Sequence, residues 1–193
     1  EYEAVIAREC GRFALDGSLF RSKKPIYWCC SCHTALAEAE IEYFDEKSPS
    51  IFVKFPVLDD LSDIAPTLSG RKVSVVIWTT TPWTIPANLA IALHPDFEYV
   101  AVETSAGDVL ILARELVDGC MKAFGVDDWK IIADISPKEL ERKRCRHPLY
   151  DRESLLVLGN HVTLEAGTGC VHTAPGHGRE DHEVGLAYGL DAY

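Results

Sequence analysis

The spacing of hydrophobic residues changes along the chain and separates its beginning from the rest. Apolar positions in residues 2–15 recur at intervals of three and four, which predicts an amphipathic helix that ends at Asp16 and Gly17. After a short segment rich in serine, lysine and proline, residues 37–43 alternate between apolar and polar types. Alternation of this kind predicts a β-strand.

Short apolar runs separated by turn signals make up most of the chain from residue 51 onward. Residues 73–78 are β-branched and apolar on both faces, which predicts a strand in the interior of a sheet. The remaining predicted elements are a hairpin of residues 98–103 and 108–112 that turns at 105–107, an amphipathic helix over 114–124 that Gly125 ends, and strands over 129–135, 155–158, 161–164 and 169–172.

Many short strands at this spacing are typical of a barrel or a sandwich with a few helices. We therefore predict a mainly β fold with attached helices, of the α+β class, in which the strands form a closed barrel. The domain is expected over residues 34–193, after a connecting arm over residues 1–33. The sequence contains no internal repeat that would divide this domain.

Composition narrows the class of protein. A chain of 193 residues with 47% hydrophobic and 25% charged residues is typical of one soluble globular domain. No apolar run approaches the roughly 20 residues that span a bilayer, and residues 1–4 lack the layout of a secretory signal. Seven mostly scattered cysteines favour reduced thiols over a disulfide framework. We expect a cytoplasmic protein without a membrane partner.

The charge of the chain argues against a free-standing nucleic-acid binder. The formal net charge is -11, whereas neutralising phosphates needs a surplus of lysine and arginine. Residues 138–146 form a local exception, with five basic residues against two acidic ones. This segment is either a solvated surface turn or a contact for RNA. If the chain binds RNA, most of the binding affinity would have to come from outside this chain.

One candidate for chemistry is the segment WTTTPWTIPAN at residues 78–88. Three threonines follow a predicted buried strand, and Pro82 and Pro86 stiffen the backbone after them. Hydroxyl groups both donate and accept hydrogen bonds, so Thr79, Thr80 and Thr81 could line a pocket. Threonine also simply suits a strand, but three of them beside two tryptophans and two prolines favour a binding loop.

The other candidate is the segment GTGCVHTAPGHGREDHE at residues 167–183. Its glycines allow close backbone approach to a ligand, and the sequence after Gly178 predicts a helix. Asp181 would then lie in the first turn, where the helix N-terminus stabilises a carboxylate. A carboxylate at that position can also be a helix cap without any further role.

Histidines and cysteines leave a metal-dependent alternative open. His172, His177 and His182 recur every five residues beside carboxylates, and such a set could bind zinc and activate a water. That spacing does not place three ligands on one helical face, and it matches no common zinc signature. Cys29 and Cys32 are half of a zinc site by spacing, and the chain has no second pair to complete it.

The two candidate segments, residues 78–88 and 167–183, together resemble the editing insertion of the class I synthetases for isoleucine, valine and leucine. Residues 78–84 are similar to the isoleucine type, because the valine and leucine relatives usually carry arginine at the position of Thr81. Residues 167–178 also resemble the isoleucine type, as do residues 24–29 of the arm and residues 35–40 that follow it. The resemblance covers nearly the whole chain in the family's order. The signatures of the ATP-binding catalytic domain are absent from the sequence, so we expect hydrolysis without amino-acid activation.

The resemblance implies a second sieve, a site that selects amino acids by size and hydrolyses valyl-tRNA(Ile). Valyl-adenylate is a further candidate substrate. A binding pocket discriminates poorly against an amino acid that is one methylene smaller, which makes such proofreading necessary. By resemblance, Asp181 would bind the α-ammonium group, and His172 would exclude isoleucine. The threonines would hold the terminal adenosine, the ester carbonyl or the attacking water: Thr79, Thr80 and Thr81.

Trp83, Asn88 and His177 are further substrate-binding candidates that the resemblance implies. The expected partners are the acceptor end of tRNA(Ile) carrying valine and the remainder of a synthetase chain. We expect no cofactor for editing, and zinc only in the full-length protein. Cys170 is expected to pack rather than to act as a nucleophile, because water can attack an activated ester directly. The rival functions are a zinc hydrolase built on the histidines and a non-catalytic tRNA-binding module.

Overall fold

The computed structural model describes residues 1–192, and Tyr193, the last residue of the predicted domain, lies outside them. The helices are α1 (Tyr2–Leu15), α2 (Val117–Phe124), α3 (Pro137–Leu140) and α4 (Arg179–Tyr188). The strands are β1 (Trp28–Cys29), β2 (Thr34–Ala35), β3 (Ile51–Pro56), β4 (Val73–Thr79), β5 (Ala90–Leu93), β6 (Tyr99–Thr104), β7 (Val109–Ala113), β8 (Trp129–Ile135), β9 (Arg144–Arg146), β10 (Glu153–Leu158) and β11 (Cys170–Thr173).

The first fifty residues contribute nothing to the hydrophobic core. Helix α1 is formed as predicted, but it has no buried residue, and β1 and β2 pair only with each other. The strand predicted for residues 37–43 is wrong, because Glu38–Glu40 forms a 3-10 turn. The Glu40 carboxylate accepts a hydrogen bond from the Ala37 backbone amide at 2.7 Å, and this contact closes the turn. Alternating polarity therefore misled the prediction where no neighbouring strand was available.

Two sheets carry the rest of the fold. One has five strands in the order β3-β4-β7-β6-β8, and the other has four in the order β11-β5-β10-β9. Strand β4 lies between β3 and β7, which confirms its predicted interior position. In the second sheet β5 runs parallel to β10 and antiparallel to β11, and His172 on β11 lies opposite Ile91 on β5.

The closed barrel that the sequence predicts is not confirmed. Among residues 1–192, β3 and β8 are the edges of one sheet, and β9 and β11 are the edges of the other. A single isolated bridge between Val57 and Cys145 joins the two sheets near one pair of edges. The fold is therefore α+β and mainly sheet, with two facing sheets rather than one closed one.

The main hydrophobic core fills the space between the sheets. Phe55, Ile77 and Ile111 come from the five-stranded sheet and pack with Ile91 and Leu156 from the four-stranded sheet. Two further clusters lie on the outer faces. Helix α2 covers the larger sheet, and α4 covers the smaller sheet through Val184 and Tyr188. The helix that carries Asp181 is thus fixed to the same sheet as His172.

Most of the remaining predicted elements are present. The hairpin of β6 and β7 is confirmed, and Gly107 in its turn has a φ of 83°. The helix predicted over residues 114–124 begins as a 3-10 turn, continues as α2 and ends at Gly125 with a φ of 69°. The strand predicted over 161–164 is wrong, because this segment forms a turn between β10 and β11 without a partner strand.

Burial marks where the compact part of the chain begins. The first buried hydrophobic side chain is Phe55, and residues 1–50 are exposed or half-buried. The boundary placed at residue 33 stays a prediction. Within residues 1–192, no helix combines the length and the hydropathy that crossing a bilayer requires.

Candidate functional site

The threonine segment leaves the end of β4 as a tightly hydrogen-bonded loop, which we call the early loop (residues 79–88). The Thr79 hydroxyl accepts a hydrogen bond from the Thr81 amide at 3.0 Å and lies 3.2 Å from the Thr81 hydroxyl. Pro82 begins a 3-10 helix, Pro82–Ala87, where its fixed φ is compatible and its missing amide is not needed. Thr79 is buried, whereas Thr80 and Thr81 are exposed.

The early loop reaches His172 on β11 through direct hydrogen bonds. The Thr84 hydroxyl lies 2.8 Å from His172 Nε2, and Asn88 Nδ2 lies 3.3 Å from His172 Nδ1. Both ring nitrogens are therefore occupied by residues of the early loop. These contacts bring together two of the predicted substrate-binding residues, Asn88 and His172, which are 84 positions apart in the sequence.

The His172 ring is electrically neutral near pH 7. Its side chain is buried, and this burial lowers the pKa of His172 to about 4, with smaller electrostatic contributions from the neighbouring His177 and His147. Desolvation disfavours a charged imidazolium, so the ring presents a neutral, hydrogen-bonded surface. A neutral and immobile ring is suited to shaping a pocket rather than to transferring protons.

The second segment continues from β11 into what we call the late loop (residues 174–181). Gly178 precedes α4, and Asp181 lies in the first helical turn as predicted. Asp181 Oδ2 accepts a hydrogen bond from the Ala174 amide at 2.8 Å. Burial raises the pKa of the Asp181 carboxyl above its ordinary value, and the hydrogen bond from Ala174 acts in the opposite direction. A cationic partner would stabilise the charged form of a carboxylate in this setting.

The structure links the two loops only in part. His177 acts electrostatically on both His172 and Asp181, although burial is the larger influence on each pKa. No hydrogen bond among residues 1–192 joins Asp181 to a threonine of the early loop. His177 is exposed, and the Trp83 side chain is 65% exposed.

A cleft of about 290 Å³ lies beside the end of β4. Thr79 and Thr80 contribute to one wall, and residues 163 and 165–171 form the opposite wall. Gly167 is required for this shape, since its φ is 82° and a Cβ there would lie 3.1 Å from Trp78. His172 and Asp181 do not line this cleft.

The histidines of the zinc alternative do not converge on one point. Within the described part of the chain, no three His, Cys, Asp or Glu side chains are arranged as a metal site. Both nitrogens of His172 already have hydrogen-bond partners. Cys29 and Cys32 lie on the exposed β1–β2 hairpin, where the Cys32 amide donates to Cys29 Sγ at 3.3 Å. Zinc bound by these cysteines in a full-length protein stays a prediction.

Cys170 points into the core between the sheets. It is 2% exposed, and this burial raises the pKa of its thiol well above the ordinary value. A thiol in such surroundings is a poor nucleophile, because the thiolate is the reactive form. The arrangement supports the packing role expected for Cys170.

Most basic residues of the segment 138–146 are engaged within the protein. Arg144 forms ion pairs with Asp59 at 2.7 Å and with Glu153 at 3.0 Å. Lys143 pairs with Asp63 at 3.0 Å, and the Arg142 guanidinium lies 5.4 Å from the ring centroid of Tyr188. These contacts favour a structural surface segment over a dedicated contact for RNA.

Sequence reasoning missed several side chains that hold the early loop in place. His147 Nε2 lies 2.9 Å from the Ile85 carbonyl oxygen, and Arg152 donates to the Asn88 carbonyl at 2.8 Å and also to that of Pro86. The Ser154 hydroxyl donates to Asn88 Oδ1 at 2.7 Å. The sequence contains no motif that singles out these residues, because they are more than sixty positions from the loop residues that they contact.

Comparison with solved structures identifies the class of fold. A crystal structure of GlLeuRS-CP1 matches 74% of this chain and 66% of its own chain, with a TM-score of 0.61 and 18% identity. The cytosolic leucyl-tRNA synthetase editing domain of P. knowlesi matches 69% of this chain and 62% of its own, with a TM-score of 0.54 and 16% identity. At these identities the similarity shows a shared fold. The chain has the fold of a synthetase editing domain.

The sequence comparisons then identify the family. The model for class I tRNA synthetases (I, L, M and V) matches residues 1–154, so the chain belongs to the class I tRNA synthetase family. The isoleucine–tRNA ligase of Geobacter sulfurreducens is 60% identical over 193 residues, which are 100% of this chain and 21% of that protein. The isoleucine–tRNA ligase of Syntrophotalea carbinolica is 60% identical over 192 residues, again 100% of this chain and 21% of that protein. These relatives confirm the resemblance to the isoleucine type, and the chain spans about a fifth of their length.

Proposed function

We propose that this chain is a proofreading hydrolase that removes valine from valyl-tRNA(Ile), in the cytoplasm and as part of a longer synthetase. The observation that carries the proposal is the hydrogen bond of 2.8 Å between Thr84 of the early loop and His172 of the late strand. It joins the two segments that resemble the editing site, and it does so through a buried, neutral ring. The relatives and the fold support the same class of function.

In this proposal, Asp181 binds the α-ammonium group of the amino acid. Its carboxylate is half-buried and has one hydrogen-bond donor, the Ala174 amide, among the described residues. A carboxylate in this position retains acceptor capacity, and a cation there would form a charge-assisted contact. Such a contact would fix the ester group relative to both loops.

His172 would set the upper size limit of the amino-acid pocket. The two hydrogen bonds that the ring makes with Thr84 and Asn88 prevent it from rotating out of the way. A rigid wall can exclude the additional methylene of isoleucine, whereas a smaller valine side chain meets no obstacle. Exclusion by a wall is the useful form of selectivity here, because proofreading must spare the larger, correct product.

The hydrolysis itself would require no nucleophilic side chain. An aminoacyl ester is already activated, so a positioned water and donors for the developing oxyanion are sufficient. The exposed hydroxyls of Thr80 and Thr81 are available for either task, and the adjacent cleft offers room for the terminal adenosine. Valyl-adenylate would be a second substrate of the same site. No cofactor takes part in this mechanism.

A deacylation assay tests the proposal. Valyl-tRNA(Ile) and isoleucyl-tRNA(Ile) are supplied to the polypeptide that carries this chain, and free amino acid is measured with time, with and without EDTA. We expect rapid release of valine, slow release of isoleucine and no effect of EDTA. Tight tRNA binding without release would support the non-catalytic module instead. Loss of release in EDTA, restored by zinc, would support the zinc hydrolase.

A further inference from the structure

A buried serine outside both loops is connected to the candidate site. Ser154 lies on β10, is 0% exposed, and donates its hydroxyl proton to Asn88 Oδ1 at 2.7 Å. Asn88 is also 0% exposed. A buried hydroxyl and a buried amide are each costly unless they are hydrogen-bonded. The pair therefore constrains both side chains.

The orientation of the Asn88 amide follows from a backbone carbonyl. Asn88 Nδ2 lies 2.7 Å from the Ala90 carbonyl oxygen, which can only accept a hydrogen bond. A flipped amide would place its own oxygen against that carbonyl. The nitrogen of Asn88 consequently faces both Ala90 and His172 Nδ1, while its oxygen faces Ser154.

The tautomer of His172 follows from the same reasoning at the other ring nitrogen. The Thr84 hydroxyl has one proton, and it donates that proton to the Thr81 carbonyl at 2.9 Å. At its contact with His172 Nε2, Thr84 must then accept, so Nε2 carries the ring proton. The unprotonated Nδ1 accepts from Asn88. Every donor in this chain of contacts meets an acceptor.

We propose that Ser154 is a positioning residue of the site: through Asn88 it fixes the orientation and the Nε2–H tautomer of His172. The proposal deepens the function proposed above, because only its effect on selectivity rests on that function. Without the serine hydroxyl, Asn88 Oδ1 becomes a buried acceptor without a donor, and the Ala90 carbonyl alone opposes rotation of the amide. An amide oxygen turned towards Nδ1 would favour a proton there, and the bond from Nε2 to Thr84 would weaken. The wall that excludes isoleucine would then become mobile.

The first experiment measures the tautomer of the His172 ring directly. Nitrogen-15 NMR of labelled histidine reports which ring nitrogen of His172 carries the proton in wild type, in Ser154→Ala and in Asn88→Asp. We expect the Nε2–H form in wild type, and a new Nδ1–H or doubly protonated population in both variants. Asn88→Asp replaces the donor at Nδ1 by an acceptor, so it gives the same direction of change even if Ser154→Ala does not fold. His147 and His177 also act on this ring, and their signals are followed in the same spectra.

Thr104→Val provides a matched control. Thr104 is a buried threonine on β6, and its hydroxyl lies 3.4 Å from the Asp108 carbonyl in the hairpin. Its loss should lower stability without changing the His172 tautomer. The proposal is overturned if the ring keeps its wild-type tautomer in Ser154→Ala, or if Thr104→Val changes the ring equally.

The second experiment measures the selectivity of hydrolysis between the valine and isoleucine esters. In Ser154→Ala, the ratio of valine to isoleucine release should fall about fivefold or more, the scale expected from one lost hydrogen bond, while the maximal rate with valine changes less. Unchanged selectivity in a variant with an altered tautomer would contradict the positioning role. Absence of hydrolysis in the wild-type protein would instead refute the proposed function and leave the NMR result intact.

Discussion

The early and late loops of the candidate site are held in opposite ways. The early loop is supported by side chains from a distant part of the chain, namely His147, Arg152 and Ser154. The late loop is held by its own neighbours: Asp181 accepts from the Ala174 amide, and the His177 amide donates to the Ala174 carbonyl at 2.8 Å. Changes at the early loop should therefore alter stability and pocket shape. Changes at Asp181 should alter chemistry while the fold is retained.

The largest expected effect is the loss of activity in Asp181→Asn. Asparagine keeps an oxygen that can accept from the Ala174 amide, but it removes the charge that would bind the α-ammonium group. We expect release of valine to fall to the uncatalysed rate, with an unfolding midpoint close to that of wild type. Glu183→Gln on the same helix is the control, since this exposed residue pairs with Arg179 alone among residues 1–192. Normal turnover in Asp181→Asn would remove the carboxylate from the mechanism.

The pH dependence of stability tests the state of His172, the ring that the early loop holds in place. Because burial holds the pKa of folded His172 at about 4, against 6.5 for the unfolded group, the neutral ring stabilises the fold fully above pH 6.5. This contribution is lost as pH falls from 6.5 to 4, and its maximum is about 3 kcal/mol. Asp181 has the opposite effect: because its folded pKa is raised, its contribution to stability is lost as pH rises. Urea unfolding of wild type and His172→Gln across this range measures the difference, which should shrink as pH falls. A constant difference would contradict the buried neutral ring.

Arg152→Met tests the support of the early loop. The variant keeps much of the side-chain volume but removes the donors to the carbonyls of Pro86 and Asn88. We expect a loss of about 2 kcal/mol in the free energy of unfolding, because a half-buried charged donor is removed from two acceptors. Arg179→Met at the late loop should cost less than about 0.5 kcal/mol, since its pair with Glu183 is exposed. Equal costs would show that the two loops do not differ in this respect.

The smallest of these effects is a change of selectivity in His172→Ala. Removing the ring opens the pocket wall while Asp181 still binds the amino acid. Hydrolysis of isoleucyl-tRNA should appear, and the preference for valine should fall about tenfold, which corresponds to roughly one well-packed methylene. Paired deacylation assays with the two esters measure the ratio. A ratio equal to that of wild type would exclude His172 from the sieve.

Periodicity alone predicted several elements of the fold correctly. Helix α1, the interior strand β4 and the hairpin closed by Gly107 follow from local patterns of polarity and turn residues. The strand predicted over residues 161–164 failed because a short apolar run becomes a strand only where another strand is free to pair with it. The closed barrel is not confirmed, and the reason is related, since sheet edges depend on which strands meet.

The candidate site divides in the same way. Local sequence was sufficient to predict the threonines at the end of a buried strand and the acid in the first turn of a helix, because strand burial and helix starts depend on neighbouring residues. The contacts of Thr84 and Asn88 with the His172 ring, and the role of Ser154 in orienting them, depend instead on how the chain folds. These partners are 66 to 88 positions apart. The direction of each hydrogen bond depends on the acceptors that folding places around it, and no local pattern in the chain records them.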